Sequence, residues 1–209
     1  MKMMQYRFIL LLGIFCMIML VCCGIDKKER TCFEEKVVRI ECEGQSGSGV
    51  VYEQMDDQLI IVTASHVVEG ADNVRIGQGS TAEVISVAGL DLAFLRVSDV
   101  KADWTVRSDL QKREMKEEDI LELSLQGYDK SDTLIEHMGT LKKDWIYVED
   151  FKSHMMIVNA TAVPGMSGGG VFDKSGTFVG IICGIDESEN VAVLPAGVIE
   201  SEYSALFQN

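Results

Sequence analysis

The sequence predicts an all-β domain built as two antiparallel β-barrels. Apolar runs of about four to eight residues recur along the chain, with turn-forming residues between them. Glycine is abundant at 19 residues and proline is scarce at 2, which favours short strands joined by tight turns over alternating strands and helices. About 180 residues follow the N-terminal segment, enough to give two small barrels a hydrophobic core.

The N-terminal segment, residues 1–30, is predicted to be a signal peptide or a membrane anchor. Lys2 and Arg7 precede residues 8–25, a run of 18 residues without a charge. That length lies between the apolar region of a secretory signal, about 7–15 residues, and a spanning helix of about 20. Residues 20–24, LVCCG, resemble a bacterial lipobox in which Cys23 becomes lipidated. The alternatives are a lipoprotein, a single uncleaved anchor, and a cleaved and released protein. Either of the first two would hold the domain at the extracytoplasmic face of the cell membrane.

The charge of the chain excludes one class of partner. The whole chain has a net charge of −14, and residues 1–25 contain two basic side chains and no acidic one. The rest therefore carries 17 basic and 33 acidic side chains, a net charge of −16. Such a surface repels phosphate backbones, so no nucleic-acid partner is expected.

The six cysteines give no sign of a metal site. Three of them lie in the apolar N-terminal segment, which leaves Cys32, Cys42 and Cys183 in the remaining domain. An odd number allows at most one internal disulfide, for which Cys32 and Cys42 are the nearest pair in sequence. The alternative is three reduced thiols, with Cys42 and Cys183 buried as small apolar side chains. No Cys/His cluster has metal-ligand spacing, so neither a metal nor another cofactor is expected.

The segment 164–170, PGMSGGG, contains the candidate nucleophile, Ser167. A serine bounded by glycines lets the backbone turn so that two amide N–H groups point into one small space. The amides of Gly165 and Ser167 would there hold the oxyanion of a tetrahedral intermediate, and such a donor contributes about 3–4 kcal/mol. A glycine-rich turn between two strands would have the same composition.

His66 is the candidate general base. It follows the apolar run 59–62, LIIV, which predicts a buried strand, and so would stand on a rigid support at the start of a turn. The only other histidines are His137 and His154, whose neighbours are typical of half-exposed strands.

Asp91 is the candidate third member of the site. It lies in the apolar stretch 89–95, GLDLAFL, which predicts a strand with the carboxylate inside it. A buried carboxylate requires a partner, and an imidazole N–H would satisfy it while fixing the tautomer of the base. An aspartate at the rim of a strand, bonded to a turn amide, is the alternative.

The order His66, Asp91, Ser167 resembles that of the trypsin-like serine peptidases, most closely the bacterial HtrA-type branch. The resemblance extends from about residue 36 to the C-terminus. It rests on residues 47–51 (GSGVV), 63–68 (TASHVV), 91–93 (DLA), 165–169 (GMSGG), 176–181 (GTFVGI) and 192–196 (AVLPA). It implies a peptidase domain over residues 31–209, with two six-stranded barrels, an active site in the cleft between them and a short C-terminal helix. The polar stretch 101–119 resembles the connection between the barrels, with one helical turn or a mobile segment at residues 113–118.

The resemblance also implies the substrate pocket and the partners. Thr161 and Ala162, with the strand Cys183-Gly184-Ile185, should line the primary specificity pocket. None of these residues is charged, which favours a small or medium apolar side chain before the cleaved bond; Asp186 would favour a basic one instead. The partners would be protein or peptide substrates. The resemblance covers the peptidase domain, and no PDZ domain is expected after it.

The sequence departs from its relatives at Met166. Digestive trypsins carry an aspartate directly before the nucleophile, and HtrA-type enzymes usually carry an asparagine. The switch by which a newly cut N-terminus activates a zymogen is therefore not expected here.

The predicted function is that of an exported, membrane-tethered serine endopeptidase for quality control or processing of envelope proteins. Two alternatives remain: a binding or sensing module that keeps the fold without turnover, and an esterase that uses the same chemistry. The oligomeric state is not predicted.

Overall fold

The computed structural model describes residues 31–77, 79–87, 89–110, 122–185 and 190–207. This part of the chain begins with β1 (Thr31–Phe33), which pairs in parallel with β8 (Val100–Ala102) in a small sheet of two strands. The sequence did not predict this sheet. The remaining strands form two closed barrels of six antiparallel strands each, as the sequence predicts.

The first barrel has the strand order β2-β3-β4-β7-β6-β5. Its strands are β2 (Val37–Cys42), β3 (Gln45–Met55), β4 (Gln58–Thr63), β5 (Asn73–Ile76), β6 (Ser80–Ser86) and β7 (Ala93–Ser98). The second barrel has the order β10-β11-β14-β13-β12-β9. Its strands are β9 (Glu122–Tyr128), β10 (Leu134–Val148), β11 (Ser153–Asn159), β12 (Gly170–Asp173), β13 (Phe178–Ile185) and β14 (Val191–Pro195).

Strand β4 shows why the apolar runs of this sequence lack alternating polar residues. Leu59 and Ile61 point into the interior of the first barrel. Ile60 and Val62 point the other way, into a cluster shared with residues of the second barrel such as Phe172. Both faces of the strand are buried, so both sets of alternate positions are apolar. This support positions the turn that follows it, where His66 lies.

Two helices pack against the shared cluster. The C-terminal helix α2 (Ala196–Phe207) confirms the prediction, and its Ile199 and Tyr203 are fully or almost fully buried. Helix α1 (Val106–Leu110) lies in the connection between the barrels, where the sequence predicted a turn only at residues 113–118. Those residues lie outside the described part of the chain.

An ion-pair network connects the helices to the first barrel. Arg107 donates to both carboxylate oxygens of Glu200, and it also pairs with Glu53 of β3 at 2.5 Å. Tyr52 donates to Glu200 at 2.6 Å. The network therefore links α1, α2 and β3 through groups that are mostly buried.

The cysteines of the described residues are free: Cys32 is half-buried, and Cys42 and Cys183 are buried. This agrees with the second of the two alternatives that the sequence left open. Among the same residues, no helix combines the length and apolar character needed to cross a membrane. The predicted signal or anchor and Cys23 lie outside the described residues.

Candidate active site

A cleft of 770 Å³ contains two of the three predicted catalytic side chains. His66 of the first barrel and Ser167 of the second both line it, together with Pro164 and Gly165. The hairpin between β2 and β3 forms another part of its wall. The structure thus brings together residues that are about a hundred positions apart in the sequence.

His66 lies in a single 3₁₀ turn, Ser65–Val67, directly after β4. Its Nδ1 is 2.9 Å from Oδ2 and 3.0 Å from Oδ1 of Asp91. A carboxylate can only accept a hydrogen bond, so Nδ1 carries the proton and Nε2 of the neutral ring keeps its lone pair. The His66 side chain is 45% exposed, which leaves that nitrogen accessible to a substrate or to a serine hydroxyl.

Asp91 is held by more than the imidazole. Its Oδ1 also accepts hydrogen bonds from the hydroxyl of Ser65 at 3.0 Å and from the backbone N–H of His66 at 3.1 Å. The prediction that Asp91 lies inside a strand is wrong, because β7 begins two residues later, at Ala93. Its position in the preceding turn allows the carboxylate to bend back onto the 3₁₀ turn while its side chain stays only 13% exposed.

The two groups change each other's pKa. The hydrogen bond to Asp91 raises the pKa of His66 above 6.5; burial opposes this shift, and the negative charges of Asp91 and Glu69 add to it. Burial alone would raise the pKa of Asp91, but the hydrogen bonds and charge of His66 together with the Ser65 hydroxyl hold it below 3.8. Asp91 is therefore ionised over the whole range in which His66 titrates.

The loop that carries Ser167 depends on two glycines. Gly165 and Gly168 have φ of +105° and +80°, values that disfavour any residue with a Cβ. A Cβ at Gly168 would lie 2.2 Å from both the Ser48 carbonyl oxygen and the Thr63 hydroxyl. This close contact between backbones brings the loop against the first barrel.

The backbone N–H groups of Gly165 and Ser167 have no hydrogen-bond acceptor among the described residues. The N–H of Met166, between them, donates to the Val163 carbonyl at 3.1 Å. The N–H of Gly168 donates to Ile182 at 2.7 Å. Two donors of one short loop are thus available beside the candidate nucleophile, which is what an oxyanion hole requires.

Met166 takes a different environment from the carboxylate of digestive trypsins. Its side chain is completely buried in the core of the second barrel, which includes Leu123 and Leu125. Its sulfur accepts the N–H of Val163 at 3.4 Å. The loop is therefore anchored by apolar packing at this position instead of by an ion pair.

Ser48 contacts this loop from the first barrel, and sequence reasoning assigned it no function. Its hydroxyl donates to the Gly165 carbonyl at 2.8 Å, and its N–H donates to the Ser167 carbonyl at the same distance. The only signal in the sequence is that glycines flank Ser48 on both sides. Its partners are more than a hundred residues away, so no local pattern indicates them.

The five predicted pocket residues do not line the cleft that holds His66 and Ser167. Thr161 is exposed, and its carbonyl accepts a hydrogen bond from Nδ1 of His137 at 2.6 Å. Ala162 is half-buried and packs against the core of the second barrel.

The two other histidines of the chain have partners outside the candidate site. His137 binds the Thr161 carbonyl, and His154 is exposed and stacks on Trp145, so neither of them contacts Asp91 or Ser167.

The three predicted pocket residues of β13 lie in different environments. Cys183 is buried, and its thiol lies 3.8 Å from the backbone carbonyl of Asp91. Burial and the nearby charge of Asp91 raise the pKa of this thiol. Gly184 lies against the ring of Phe151, and Ile185 is 57% exposed. Asp186 lies outside the described residues.

Two closed antiparallel barrels, with a paired histidine and aspartate beside a glycine-bounded serine, are the framework of a serine peptidase with the chymotrypsin-like fold. The chain belongs to the trypsin-like peptidase domain family, whose sequence model matches residues 47–181. It is also 38% identical over 64 residues to the serine protease Do-like HtrA of Bacillus subtilis (strain 168). That match covers 28% of this chain and spans only 14% of the relative.

Solved structures show the same fold. The active form of the Rv3671c protease from M. tuberculosis has a TM-score of 0.63 and 21% identity, over 83% of this chain and 82% of that one. The HtrA-type protease AlgW, solved with a tripeptide, has a TM-score of 0.66 and 21% identity, over 83% of this chain and 60% of that one. The serine endoprotease from Yersinia pestis has a TM-score of 0.61 and 19% identity, over 83% and 63%.

Proposed function

We propose that this chain is a serine endopeptidase in which Ser167, His66 and Asp91 form the catalytic triad. The observation that carries the proposal is the pair of contacts of 2.9 and 3.0 Å between Nδ1 of His66 and the Asp91 carboxylate, in a cleft that also contains Ser167. Because these contacts place the proton on Nδ1, Nε2 of the neutral ring has a free lone pair with which it can accept the serine proton.

The proposed reaction has two stages. The Ser167 oxygen bonds to the carbonyl carbon of the peptide while Nε2 of His66 takes the hydroxyl proton, and His66 then gives that proton to the leaving amine. Water repeats the sequence on the acyl-enzyme and releases the carboxylic acid. The N–H groups of Gly165 and Ser167 bind the negative oxygen in both tetrahedral intermediates, while Asp91 stabilises the imidazolium.

A fluorophosphonate probe tests the proposed nucleophile on the full chain in detergent. The Ser167 oxygen should displace fluoride from phosphorus, and mass spectrometry should locate the adduct on Ser167. The Ser167→Ala variant should not be labelled and should lose up to about 10⁶-fold in turnover. An adduct on another serine, or no adduct in a folded sample, would contradict an active peptidase. Turnover of an ester with no cleavage of any peptide would favour an esterase.

We further propose that the enzyme prefers an uncharged side chain before the cleaved bond. This proposal rests on the family resemblance, which assigns the pocket to Thr161, Ala162, Cys183, Gly184 and Ile185, and not on the lining of the cleft. None of these five residues is charged. Peptides that differ only in leucine or lysine at that position should separate the cases. A faster cleavage after lysine would instead implicate an acidic residue such as Asp186.

We also propose that residues 1–30 export the domain and hold it at the membrane for envelope-protein processing or quality control. The uncharged run of 18 residues and the lipobox-like ending support this. Two or more lipid chains on Cys23, at about 0.8 kcal/mol per buried CH₂, would anchor the protein stably.

The Cys23→Ser variant separates a lipoprotein from a spanning anchor. A lipoprotein should lose its lipid label and remain as an unprocessed precursor, whereas a protein held by a spanning anchor should not be affected by the substitution. Recovery of the wild-type protein only from the medium would contradict both, and full protection from external protease in intact cells would contradict the orientation.

A further inference from the structure

Ser48 lies in β3, and its side chain is completely buried where the two barrels meet. At Ser48, strand β3 can approach the other barrel closely because the residues on either side, Gly47 and Gly49, have no side chain. A Cβ at Gly47 would lie 2.5 Å from Val67 and 3.1 Å from the Ser167 carbonyl. Ser48 is thus the side chain of this segment that faces the nucleophile loop at short range.

The direction of the Ser48 hydroxyl proton follows from its two partners. The backbone N–H of Tyr128 can only donate, and it lies 2.7 Å from the Ser48 oxygen. The Gly165 carbonyl can only accept, and it lies 2.8 Å away. The hydroxyl proton therefore points to Gly165. That bond is buried, where a missing partner costs most, and the bond from Tyr128 is partly buried.

This hydrogen bond fixes one peptide plane. The Gly165 carbonyl and the Met166 N–H belong to the same planar group; Ser48 holds the oxygen and the Val163 carbonyl accepts the N–H. The neighbouring planes carry the N–H groups of Gly165 and Ser167. Holding the central plane at both ends therefore limits the rotation that would turn either donor away from the cleft.

Restraint is needed at this position because Gly165 is permissive. With φ of +105° and no Cβ, its backbone can adopt several orientations of similar energy, and the loop by itself does not select one. The Met166 side chain packs into the apolar core below the loop. Among the described residues its only hydrogen bond is with the Val163 N–H, so it does not hold the Gly165 carbonyl.

We propose that Ser48 is a positioning residue whose hydroxyl, from the first barrel, selects the orientation of the Gly165–Met166 peptide in which the oxyanion hole is formed. The inference rests on the proposed peptidase function. It also makes formation of the oxyanion hole depend on contact between the barrels, because the selecting group and the selected peptide belong to different barrels.

The test compares Ser48→Ala with the wild-type full chain on one peptide substrate. The kcat should fall about 10–100-fold with little change in KM, somewhat less than the loss of a whole donor. A peptide boronic acid, whose oxygen occupies the oxyanion hole, should bind more weakly by a similar factor. The acid limb of the pH profile should stay in place, because the His66–Asp91 pair is untouched.

Ser124→Ala is the matched control. Ser124 is also a buried serine whose hydroxyl donates a hydrogen bond, to Glu136, but it does not contact the nucleophile loop. It should lower the melting temperature without changing kcat. If Ser48→Ala lowers only the melting temperature and keeps the wild-type kcat, the hydroxyl is a fold contact and the proposal is wrong.

Ser48→Cys serves if the alanine variant does not fold. Its volume is close to that of serine, but a thiol is a weak, longer-range donor. Its melting temperature should stay near that of the wild type while kcat falls at least about tenfold. A wild-type kcat in this variant would also overturn the proposal. Failure of the peptidase function itself would show differently, as absence of fluorophosphonate labelling in the wild type.

Discussion

Nδ1 of His66 lies 2.9 Å from Oδ2 of Asp91, and the aspartate is much the less exposed of the two. The carboxylate accepts hydrogen bonds from three donor groups, two of which belong to His66 itself. Asp91 thus binds both the backbone N–H and the ring Nδ1 of His66. The imidazole therefore has one preferred tautomer and orientation before any substrate binds.

Replacing Asp91 with asparagine should lower turnover by about 10⁴-fold, because an amide can donate to Nδ1 and so favours the wrong tautomer. Peptide cleavage and fluorophosphonate labelling rates measure the loss. Asp72→Asn is the control, because Asp72 is exposed, directly precedes β5 and has no hydrogen bond to His66 among the described residues. Near-normal activity in Asp91→Asn, with loss in Asp72→Asn, would mean that the wrong aspartate has been assigned.

The pH dependence of kcat/KM should show an acid limb with its midpoint above 6.5. The raised pKa of His66 means that the protonated ring, which cannot accept the serine proton, persists to higher pH than in a free histidine. Activity should therefore rise as pH increases through that pKa and then level off.

The same pKa can be followed by NMR in a Ser167→Ala background, with the His66 signal assigned by a His66→Gln variant. Adding Asp91→Asn replaces the charged acceptor with a neutral amide, which stabilises the imidazolium less, so the pKa of His66 should fall. A midpoint at or below 6.5, or one that does not respond to Asp91→Asn, would contradict the pairing as the cause.

Gly168→Ala should disrupt the nucleophile loop, while Gly176→Ala should be tolerated. Both glycines have nearly the same φ, +80° and +79°, so both variants carry a similar backbone strain of about 1–2 kcal/mol. The new Cβ at position 168 would lie 2.2 Å from backbone and hydroxyl oxygens, whereas at position 176 the nearest atom is a lysine nitrogen at 3.7 Å. Melting temperature and labelling rate should both fall much further for Gly168→Ala, and equal effects would contradict this account.

Arg107→Ala should destabilise the fold by about 2–3 kcal/mol. Removing this side chain leaves the carboxylates of Glu53 and Glu200 partly buried without their cation. The expected loss of stability is smaller than for a fully buried ion pair because Glu200 is 36% exposed. Arg96→Ala is the control, since its pair with Glu83 is largely exposed and should contribute less than about 1 kcal/mol. Urea unfolding of both variants measures the difference, and similar midpoints would mean that the buried network adds no stability.

The sequence by itself determined the class of the fold and the candidates for catalysis. Residues 59–62 are apolar at every position because β4 is buried on both faces, and this is visible without coordinates. The glycines around Ser167 and the position of His66 after that strand are likewise local patterns. They predicted the strand, the turn and the nucleophile loop because each depends on residues close together in the chain.

The tertiary structure decided what depends on distant residues. Asp91 lies before β7, where it can bend back onto the turn of His66; no local pattern distinguishes this from a place inside the strand. Cys183 and Ile185 belong to one strand, yet one is buried beneath Asp91 and the other is exposed. The contact of Ser48 with Gly165 joins residues 117 positions apart, and only the packing of two closed barrels brings that hydroxyl to that carbonyl.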